Sequence, residues 1–153
     1  MTNKPLKLLA KDGEDIQVIA AVLQDSIVPA CDMAYRAGEK SFVMVVHRFC
    51  WDGVMNDLGL IIPLPANEDG SPCYERISCA LDITGVEGVK FHGLNPNDPA
   101  AMFELLTITM EEDRLDIIFA GNGKLRLKLA NWAARLQDFG ESWPTTHCPR
   151  HAT

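Results

Sequence analysis

The sequence predicts an α+β domain made mainly of antiparallel strands, about seven of them, that form a bent sheet or a partly closed barrel. Two regions carry this prediction. Residues 103–129 contain three alternating apolar segments separated by turn signals, and residues 41–52 form a long apolar segment with strand character. One N-terminal amphipathic helix and a short C-terminal helix are expected to accompany these strands.

The N-terminal part predicts a short strand followed by one helix. Leu6 to Leu9 form the strand. Asp12 suits a helix N-cap, and Asp15 places negative charge at the positive end of the helix. Asp25 and Ser26 end the helix. The apolar stripe between them recurs at i, i+3, i+4 and i+7, and it consists of Ile16, Ile19, Ala20 and Leu23.

The next region predicts a hairpin that leads into the central strand. Residues 27–35 are expected to form one strand, in which Pro29 favours an edge position or a bulge. Residues 37–40 supply the turn of an antiparallel hairpin. The following strand, within residues 41–52, is apolar on both faces as far as Val46, which predicts a central strand buried on both sides.

A long loop and two strand segments are predicted in the middle of the chain. Residues 53–72 contain three prolines and three glycines and therefore read as a loop. Tyr74 to Thr84 alternate apolar and polar residues, which predicts a half-buried strand. Residues 85–88 allow a turn or a bulge before a second strand at residues 89–94.

The final third predicts an antiparallel meander. Its three strands lie within residues 103–129 and are joined by turns at residues 111–113 and 121–123. The second turn has the sequence Gly-Asn-Gly, which is typical of a tight turn with positive φ.

A short helix is predicted to close over this meander. Trp132, Leu136 and Phe139 step at i, i+4 and i+7, and Gly140 is a natural end for a helix. A meander followed by a Trp-bearing helix resembles the pleckstrin-homology-like barrel. Residues 141–153 are then expected to form a C-terminal tail.

The composition favours a single domain spanning residues 1–153. A hydrophobic content of 47% suffices for one core, whereas two domains would each be near the lower size limit. The net charge is −7, and Lys and Arg form no cluster beyond scattered pairs along the chain. Neither nucleic acid nor an anionic membrane is therefore expected as a partner.

Hydropathy and cysteine usage favour a cytoplasmic location. No apolar run approaches the roughly 18 residues needed to span a bilayer, and the N-terminus lacks the features of a signal or transit peptide. The five cysteines include no CxxC pair, and several lie in apolar strand patterns. Reduced, buried thiols are expected rather than a disulfide framework.

The first candidate site lies where the central strand leaves the core, at His47, Arg48, Trp51 and Asp52. In one interpretation they form a pocket rim, where Arg48 binds an anionic group and His47 or Asp52 transfers a proton. In the other, which we favour, His47 hydrogen-bonds in the core and Arg48 pairs with Asp52 or a neighbouring acid. No catalytic motif of known spacing accompanies these residues.

The second candidate site lies in the tail, where His147, Cys148 and His151 could supply ligands to Zn²⁺. The proline after Cys148 prevents a regular helix with both imidazoles on one face. A fourth ligand such as His92 or Cys73 would also be required. A terminal tail without metal is the favoured interpretation, and no cofactor is predicted.

Several short motifs from residue 6 to residue 151 resemble one known family. They are Leu23-Gln24-Asp25, Asp32-Met33-Ala34-Tyr35, Arg48-Phe49 with Trp51, Phe119-Ala120-Gly121, Leu125-Arg126-Leu127 and Trp143-Pro144-Thr145. Together they resemble the bacterial domain-of-unknown-function family numbered two thousand nine hundred forty-eight. The resemblance implies a bacterial protein and assigns no activity. The sequence departs from the family pattern at His47, where Asn is usual, which argues against a catalytic role for that histidine.

The sequence supports two kinds of function. The favoured one is a non-catalytic binding or assembly module, with an exposed Trp143 as anchor for a protein partner or for self-association. The alternative is a small enzyme or metabolite-binding protein with a pocket near Arg48 and Trp51. A concave pocket that gathers His47, Arg48 and Asp52 would support the alternative.

Overall fold

The computed structural model describes residues 6–49 and 74–145. Within these ranges the chain forms one α-helix, two short 3-10 turns and eight strands. All pairings between the described strands are antiparallel, which confirms the predicted fold class. The elements are β1 (Lys7–Ala10), α1 (Gly13–Leu23), β2 (Ile27–Pro29), β3 (Met33–Arg36), β4 (Ser41–Phe49), β5 (Tyr74–His92), β6 (Met102–Glu111), β7 (Arg114–Phe119) and β8 (Gly123–Thr145).

The strands form one sheet that bends round into a ring. Neighbouring strands follow the order β1-β8-β5-β4-β2-β6-β7, and β7 also pairs with β8. The path from β8 through β5, β4, β2, β6 and β7 therefore returns to β8. The shortest strand pairing on this path is between β2 and β4, where the register contains one residue pair, Ile27 with His47. The bent sheet or partly closed barrel predicted from the sequence is confirmed.

The N-terminal strand and helix form as predicted. The Asp12 side chain accepts a hydrogen bond from the amide of Asp15 at 2.9 Å, which caps the first turn of α1. The apolar stripe of α1 is buried and packs mainly against β6. After the helix, the amide of Asp25 donates to the carbonyl of Leu105, which joins the end of α1 to β6.

The prediction of a single strand over residues 27–35 is wrong. β2 ends at Pro29, a 3-10 turn follows, and β3 begins at Met33. Pro29 has no amide hydrogen to continue a ladder, and the chain leaves the sheet at that point. The hairpin predicted around residues 37–40 is confirmed, because β3 pairs antiparallel with β4.

β4 is a central strand with one buried face. Its even-numbered residues Phe42, Met44 and Val46 are inaccessible to solvent, and Arg48 is buried with them. The odd-numbered residues from 43 to 47 are half-buried. The prediction that both faces are buried as far as Val46 is therefore wrong for the odd face.

Residues 74–92, expected as parts of two segments, form the single long strand β5. Gly85 has a φ of +81°, and the register with β8 shifts around it, between Thr84 and Val86 and again between Val86 and Gly88. Buried positions change there from odd numbers, such as Leu81 and Ile83, to Val86. Of the two predicted alternatives, the structure forms the bulge.

The meander predicted in residues 103–129 is confirmed as β6, β7 and the first part of β8. The turn residue Asn122 has a φ of +68°, and Gly121 before it has a φ of +81°. The tight turn with positive φ is therefore present as expected.

The prediction of a short C-terminal helix is wrong, because β8 continues as a strand to Thr145. Asn131 has a φ of +50°, and buried positions change from odd numbers up to Leu129 to even numbers from Ala134. The change of parity interrupts the alternation of buried and exposed residues in β8, and the resulting spacing of apolar residues resembles that of a helix. The helix of a pleckstrin-homology-like barrel is thus absent from the described residues. The apparent stripe consists of three residues of one strand, Trp132, Leu136 and Phe139.

The predicted tail also begins too early. Residues 141–145 belong to β8, where Trp143 lies opposite Arg76 and Thr145 opposite Tyr74. Residues 146–153 lie outside the described part of the chain.

The core lies inside the ring. Alternate side chains of its strands point inward and are inaccessible, as for Leu81 on β5, Ile108 on β6, Ile117 on β7 and Leu127 on β8. Helix α1 contributes Leu23 to the same cluster. Among the described residues, no helix is long and apolar enough to cross a membrane.

Candidate functional site

Arg48 lies in the core and pairs with Asp138 of β8. Its Nε donates to Oδ1 at 2.8 Å, and its Nη2 donates to Oδ2 at 2.7 Å. Arg48 retains 9% of its accessible surface and Asp138 retains 4%. A two-point pair of this kind fixes the orientation of both side chains. In the described residues Arg48 therefore forms an ion pair with an acid, as in the interpretation of this residue that we favoured from the sequence.

Two further groups complete the bonds of the Asp138 carboxylate. The thiol of Cys79 donates to Oδ1 at 2.8 Å, and the amide of Leu6 donates to Oδ2 at 2.9 Å. Burial by itself raises the pKa of Asp138, but the bonds from Arg48 and Cys79 outweigh it and hold that pKa below its usual value. Burial and the bond to Asp138 raise the pKa of the Cys79 thiol, which keeps this cysteine protonated.

His47 lies on the other face of β4. Its Nδ1 is 3.1 Å from the hydroxyl oxygen of Ser78 on β5. Because successive residues of a strand point to opposite faces, His47 and Arg48 do not line one pocket. Trp51 and Asp52 lie outside the described residues, and so their predicted contributions to this site stay predictions.

Arg76 is a second buried arginine, and the sequence did not single it out. It retains 6% of its accessible surface, and its Nη1 donates to the carbonyls of His47 at 3.1 Å and Asp25 at 3.4 Å. The alternation of β5 assigned Arg76 to the exposed face. A register shift between Arg76 and Ser78 changes that assignment, and no local sequence signal marks it.

The remaining predicted residues provide no site in the described structure. The backbone of Trp143 lies in β8, and its role as an anchor stays a prediction. His147, Cys148 and His151 lie outside the described residues. His92, a candidate fourth ligand, is exposed at the end of β5. In the part of the chain that is described, no group of three or more His, Cys, Asp or Glu residues could hold a metal ion.

A different site is formed on the outer surface of three adjacent strands, β7, β8 and β5. Arg114 lies opposite Lys128, and Lys128 lies opposite Gly88. In the next row, Arg126 lies between Asp116 and Lys90. These rows line a cavity of about 320 Å³, which we call the basic groove. Its lining residues are Gly88, Val89, Lys90, Asp113, Arg114, Arg126 and Lys128.

Gly88 leaves the space that makes this surface concave. Lys128 faces it directly across the β5–β8 ladder. A Cβ built on Gly88 would have no heavy atom within 4 Å, so the position opens onto empty space. The aliphatic stems of the neighbouring lysines and arginines and Val89 give the cavity apolar walls as well as charge.

The two arginines of the basic groove are held by carboxylates. Arg126 Nε donates to Asp116 Oδ1 at 2.9 Å, and Arg126 Nη2 donates to Oδ2 at 3.2 Å. Arg114 Nη2 donates to Glu111 at 2.8 Å. Burial by itself raises the pKa of Asp116, but the hydrogen bonds and charge of Arg126 outweigh it and lower that pKa. Asp116 therefore stays ionised and fixes Arg126 in place.

The lysines of the basic groove are not neutralised in this way. Lys90 and Lys128 are exposed, and neither forms an ion pair with a carboxylate of the described residues. The cavity is lined by four cationic side chains and by the carboxylate of Asp113, and Asp116 lies beside it in its pair with Arg126. Counted together with the flanking Lys124 and Glu111, these residues carry five positive and three negative charges, a surplus of two.

One part of the basic groove has a local sequence signal, which lies in β8. Lys124, Arg126 and Lys128 recur at a period of two, opposite buried leucines, which places three cations on one face of a strand. The contributions of Lys90 and Arg114 depend on strand pairing. They could not be assigned before the sheet order was known.

A comparison with models of protein families identifies the family of this chain. The family model described as Protein of unknown function (DUF2948) matches residues 6–151, nearly the whole chain. The chain belongs to this family. Membership in DUF2948 confirms the resemblance identified in the sequence. The matched range includes both the Arg48–Asp138 pair and the basic groove. No curated protein and no solved structure matches the chain significantly.

Proposed function

We propose that this DUF2948 protein is a non-catalytic binding module whose ligand is anionic and binds in the basic groove. The single observation that carries the proposal is the concave surface of β5, β7 and β8. There, two lysines without a carboxylate partner among the described residues lie beside arginines that Asp116 and Glu111 hold in place. A net charge of −7 already favours solubility, so solubility does not explain a basic cavity on this chain.

The arrangement supports binding more than chemistry. The described residues that line the basic groove include cations and carboxylates but no histidine, cysteine or serine. At the other candidate site, the Asp138 carboxylate accepts bonds from Arg48, Cys79 and the Leu6 amide, which leaves it little capacity to accept a proton from a substrate. We place such a module in the cytoplasm, where its cysteines would stay reduced.

The test is a titration of the ¹⁵N-labelled protein with sodium sulfate and sodium citrate at constant ionic strength, followed by amide chemical shifts. We expect the shift changes to cluster at Gly88, Lys90, Arg126 and Lys128. The double variant Lys90→Gln with Lys128→Gln should bind about tenfold more weakly, which corresponds to roughly 0.7 kcal/mol for each removed charge.

The matched control is Lys7→Gln with Lys11→Gln, which removes the same number of charges from exposed lysines outside the basic groove. This control should bind both anions as the original protein does. Shift changes spread over the whole surface, or an equal loss of affinity in the two double variants, would refute a specific anion site.

A further inference from the structure

We infer that the ligand of the basic groove is a small dianionic phosphate monoester that carries an apolar group. This inference rests on the proposed function and names the chemical class of its ligand. Charge, size and the nature of the cavity walls each support one part of it.

The charge of the cavity matches a dianion. Arg126 is paired with Asp116 and Arg114 with Glu111, whereas Lys90 and Lys128 have no carboxylate partner within ion-pair distance among the described residues. The Asp113 carboxylate also lines the cavity, and the flanking Lys124 balances its charge in the count. Lys90 pairs across the ladder with Arg126, and Gly88, two residues before it, pairs with Lys128. The two ammonium groups are therefore carried by diagonal neighbours, close enough to flank one group. A phosphate monoester carries about −1.5 to −2 charges at pH 7, which balances them.

The volume requires more than the phosphate group. A cavity of about 320 Å³ has room for roughly ten waters at about 30 Å³ each, which exceeds the five heavy atoms of inorganic phosphate. It lies at the lower end of the volumes typical of small-molecule sites. The remaining space adjoins Val89, Gly88 and the aliphatic stems of the basic side chains, so an apolar group fits beside the phosphate.

A polymeric phosphate ligand fits less well. Nucleic acid is bound along a continuous basic track that contacts several phosphates. Here the cations converge on one cavity, and the chain as a whole carries a net charge of −7, which repels a polyanion.

The experiment compares four probes by calorimetry on the full chain at pH 7.5 and constant ionic strength. The probes are phenyl phosphate, benzenesulfonate, inorganic phosphate and a single-stranded oligothymidylate of 12 nucleotides. We expect phenyl phosphate to bind at least tenfold more tightly than benzenesulfonate, its monoanionic analogue. It should also bind at least tenfold more tightly than inorganic phosphate, which lacks the apolar group.

Gly88→Val tests the position of the ligand without a change of charge. The φ of Gly88 lies outside the left-handed region and its surroundings are open, so valine suits this strand position and fills the cavity. We expect Gly88→Val to bind phenyl phosphate at least tenfold more weakly, with a thermal midpoint close to that of the original protein. Unchanged affinity in a folded Gly88→Val variant would overturn the inference.

The probes separate the failure of this inference from failure of the proposed function. If benzenesulfonate bound as tightly as phenyl phosphate, the claim that the ligand is a dianion would be refuted. If inorganic phosphate bound as tightly as phenyl phosphate, the claim that the ligand carries an apolar group would be refuted. In both cases the proposed binding of anions would stand. An oligothymidylate that binds more tightly than phenyl phosphate would replace the inference with nucleic-acid binding. Release of inorganic phosphate from phenyl phosphate, followed by ³¹P NMR, would refute a non-catalytic module. If none of the four probes, and neither sulfate nor citrate, bound detectably, the proposed function itself would be refuted.

Discussion

Arg48 and Asp138 place two opposite charges in the mainly apolar interior of the protein. Removing such charges from water costs several kcal/mol for each ion, which the pair offsets only with complete hydrogen bonding. Here both carboxylate oxygens are occupied, by Arg48, by the Cys79 thiol and by the Leu6 amide. The cluster joins β4, β5, β8 and the residue that precedes β1, and we interpret it as a determinant of strand register.

Removal of one partner should be far more costly than removal of the pair. We expect Arg48→Met to lower the free energy of unfolding by about 3–5 kcal/mol, since Asp138 would lose its two-point partner in the core. Urea unfolding measures this change. Arg36→Met is the control, because the Arg36–Glu39 pair is exposed and separated by 3.8 Å, and it should cost less than about 1 kcal/mol.

The double variant Arg48→Met with Asp138→Leu replaces the charges by apolar groups and should recover part of the loss. If Arg48→Met were no more destabilising than Arg36→Met, the buried pair would have no special role in stability.

Acid should destabilise the protein through the two lowered carboxyl pKa values. Because the folded-state pKa values of Asp138 and Asp116 lie below the unfolded value of about 3.9, both groups stabilise the fold above that pH. This contribution is lost as pH falls through the folded values. Urea unfolding between pH 7 and pH 2.5 should show the decline below about pH 4. A decline of the same steepness in the Arg48→Met, Asp138→Leu double variant would exclude Asp138 as a source.

The two free cysteines of the described chain should differ in reactivity. Cys31 is exposed, whereas Cys79 is buried and its raised pKa disfavours the thiolate. We expect iodoacetamide to modify Cys31 at least about 100-fold faster than Cys79, because Cys79 must wait for the structure to open. Peptide mass spectrometry measures both sites, and unfolding in guanidinium should make the two rates similar. Comparable rates in the folded protein would show that Cys79 is accessible.

At the scale of elements, the joint bulge of β5 and β8 determines how the longest pair of strands packs. Both strands change the parity of their buried residues here, from Ile83 to Val86 on β5 and from Leu129 to Ala134 on β8. Gly85 makes the change possible, because its positive φ and missing side chain let the backbone of β8 approach closely. This coupling keeps the apolar residues on both sides of the bulge, Ile83 and Val86 on β5 and Leu129 and Ala134 on β8, on the core side.

Gly85→Ala should therefore be strongly destabilising. A Cβ at residue 85 would lie 2.5 Å from the Ala130 carbonyl oxygen and 2.8 Å from the Cα of Trp132, in addition to the strain of φ +81°. We expect the strain alone to cost about 1–3 kcal/mol of unfolding free energy, and the backbone clash to add to it. Gly88→Ala on the same strand meets no atom within 4 Å and should be nearly neutral. Equal midpoints for the two variants in urea unfolding would contradict this account of the bulge.

At the scale of the whole molecule, β8 holds the ring together. Its first part pairs with β7 on one side and β5 on the other, and its second part pairs with β5 and β1. β3, by contrast, pairs only with β4 among the described strands. Opening the ring at β8 therefore breaks pairings with three strands, whereas fraying at β3 breaks pairings with one.

Amide hydrogen exchange should follow this order. We expect the amides of residues 124–128 to exchange near the rate set by global unfolding. The amides of residues 33–36 should exchange at least about 100-fold faster on average, through local opening. Mass spectrometry of the exchanging protein resolves the two segments. Equal protection would show that β3 opens only with the whole sheet.

The sequence by itself determined the helix α1, the hairpin and the meander, because their signals are local. The spacing of Ile16 and Ile19, the cap at Asp12 and the turn around Asn122 each act within a few residues. The sequence also identified the family. It also singled out Arg48, although without its partner Asp138.

Only the tertiary structure decided which distant residues meet. Asp138 lies 90 residues from Arg48, and Lys90, Arg114 and Lys128 come from three strands that the sheet order makes neighbours. Whole-chain charge also concealed the basic groove, because a net charge of −7 is a sum that says nothing about where charges lie. Local patterns set by the period of a helix or strand can be read from a sequence, whereas pairing between strands depends on long-range contacts that no local pattern encodes.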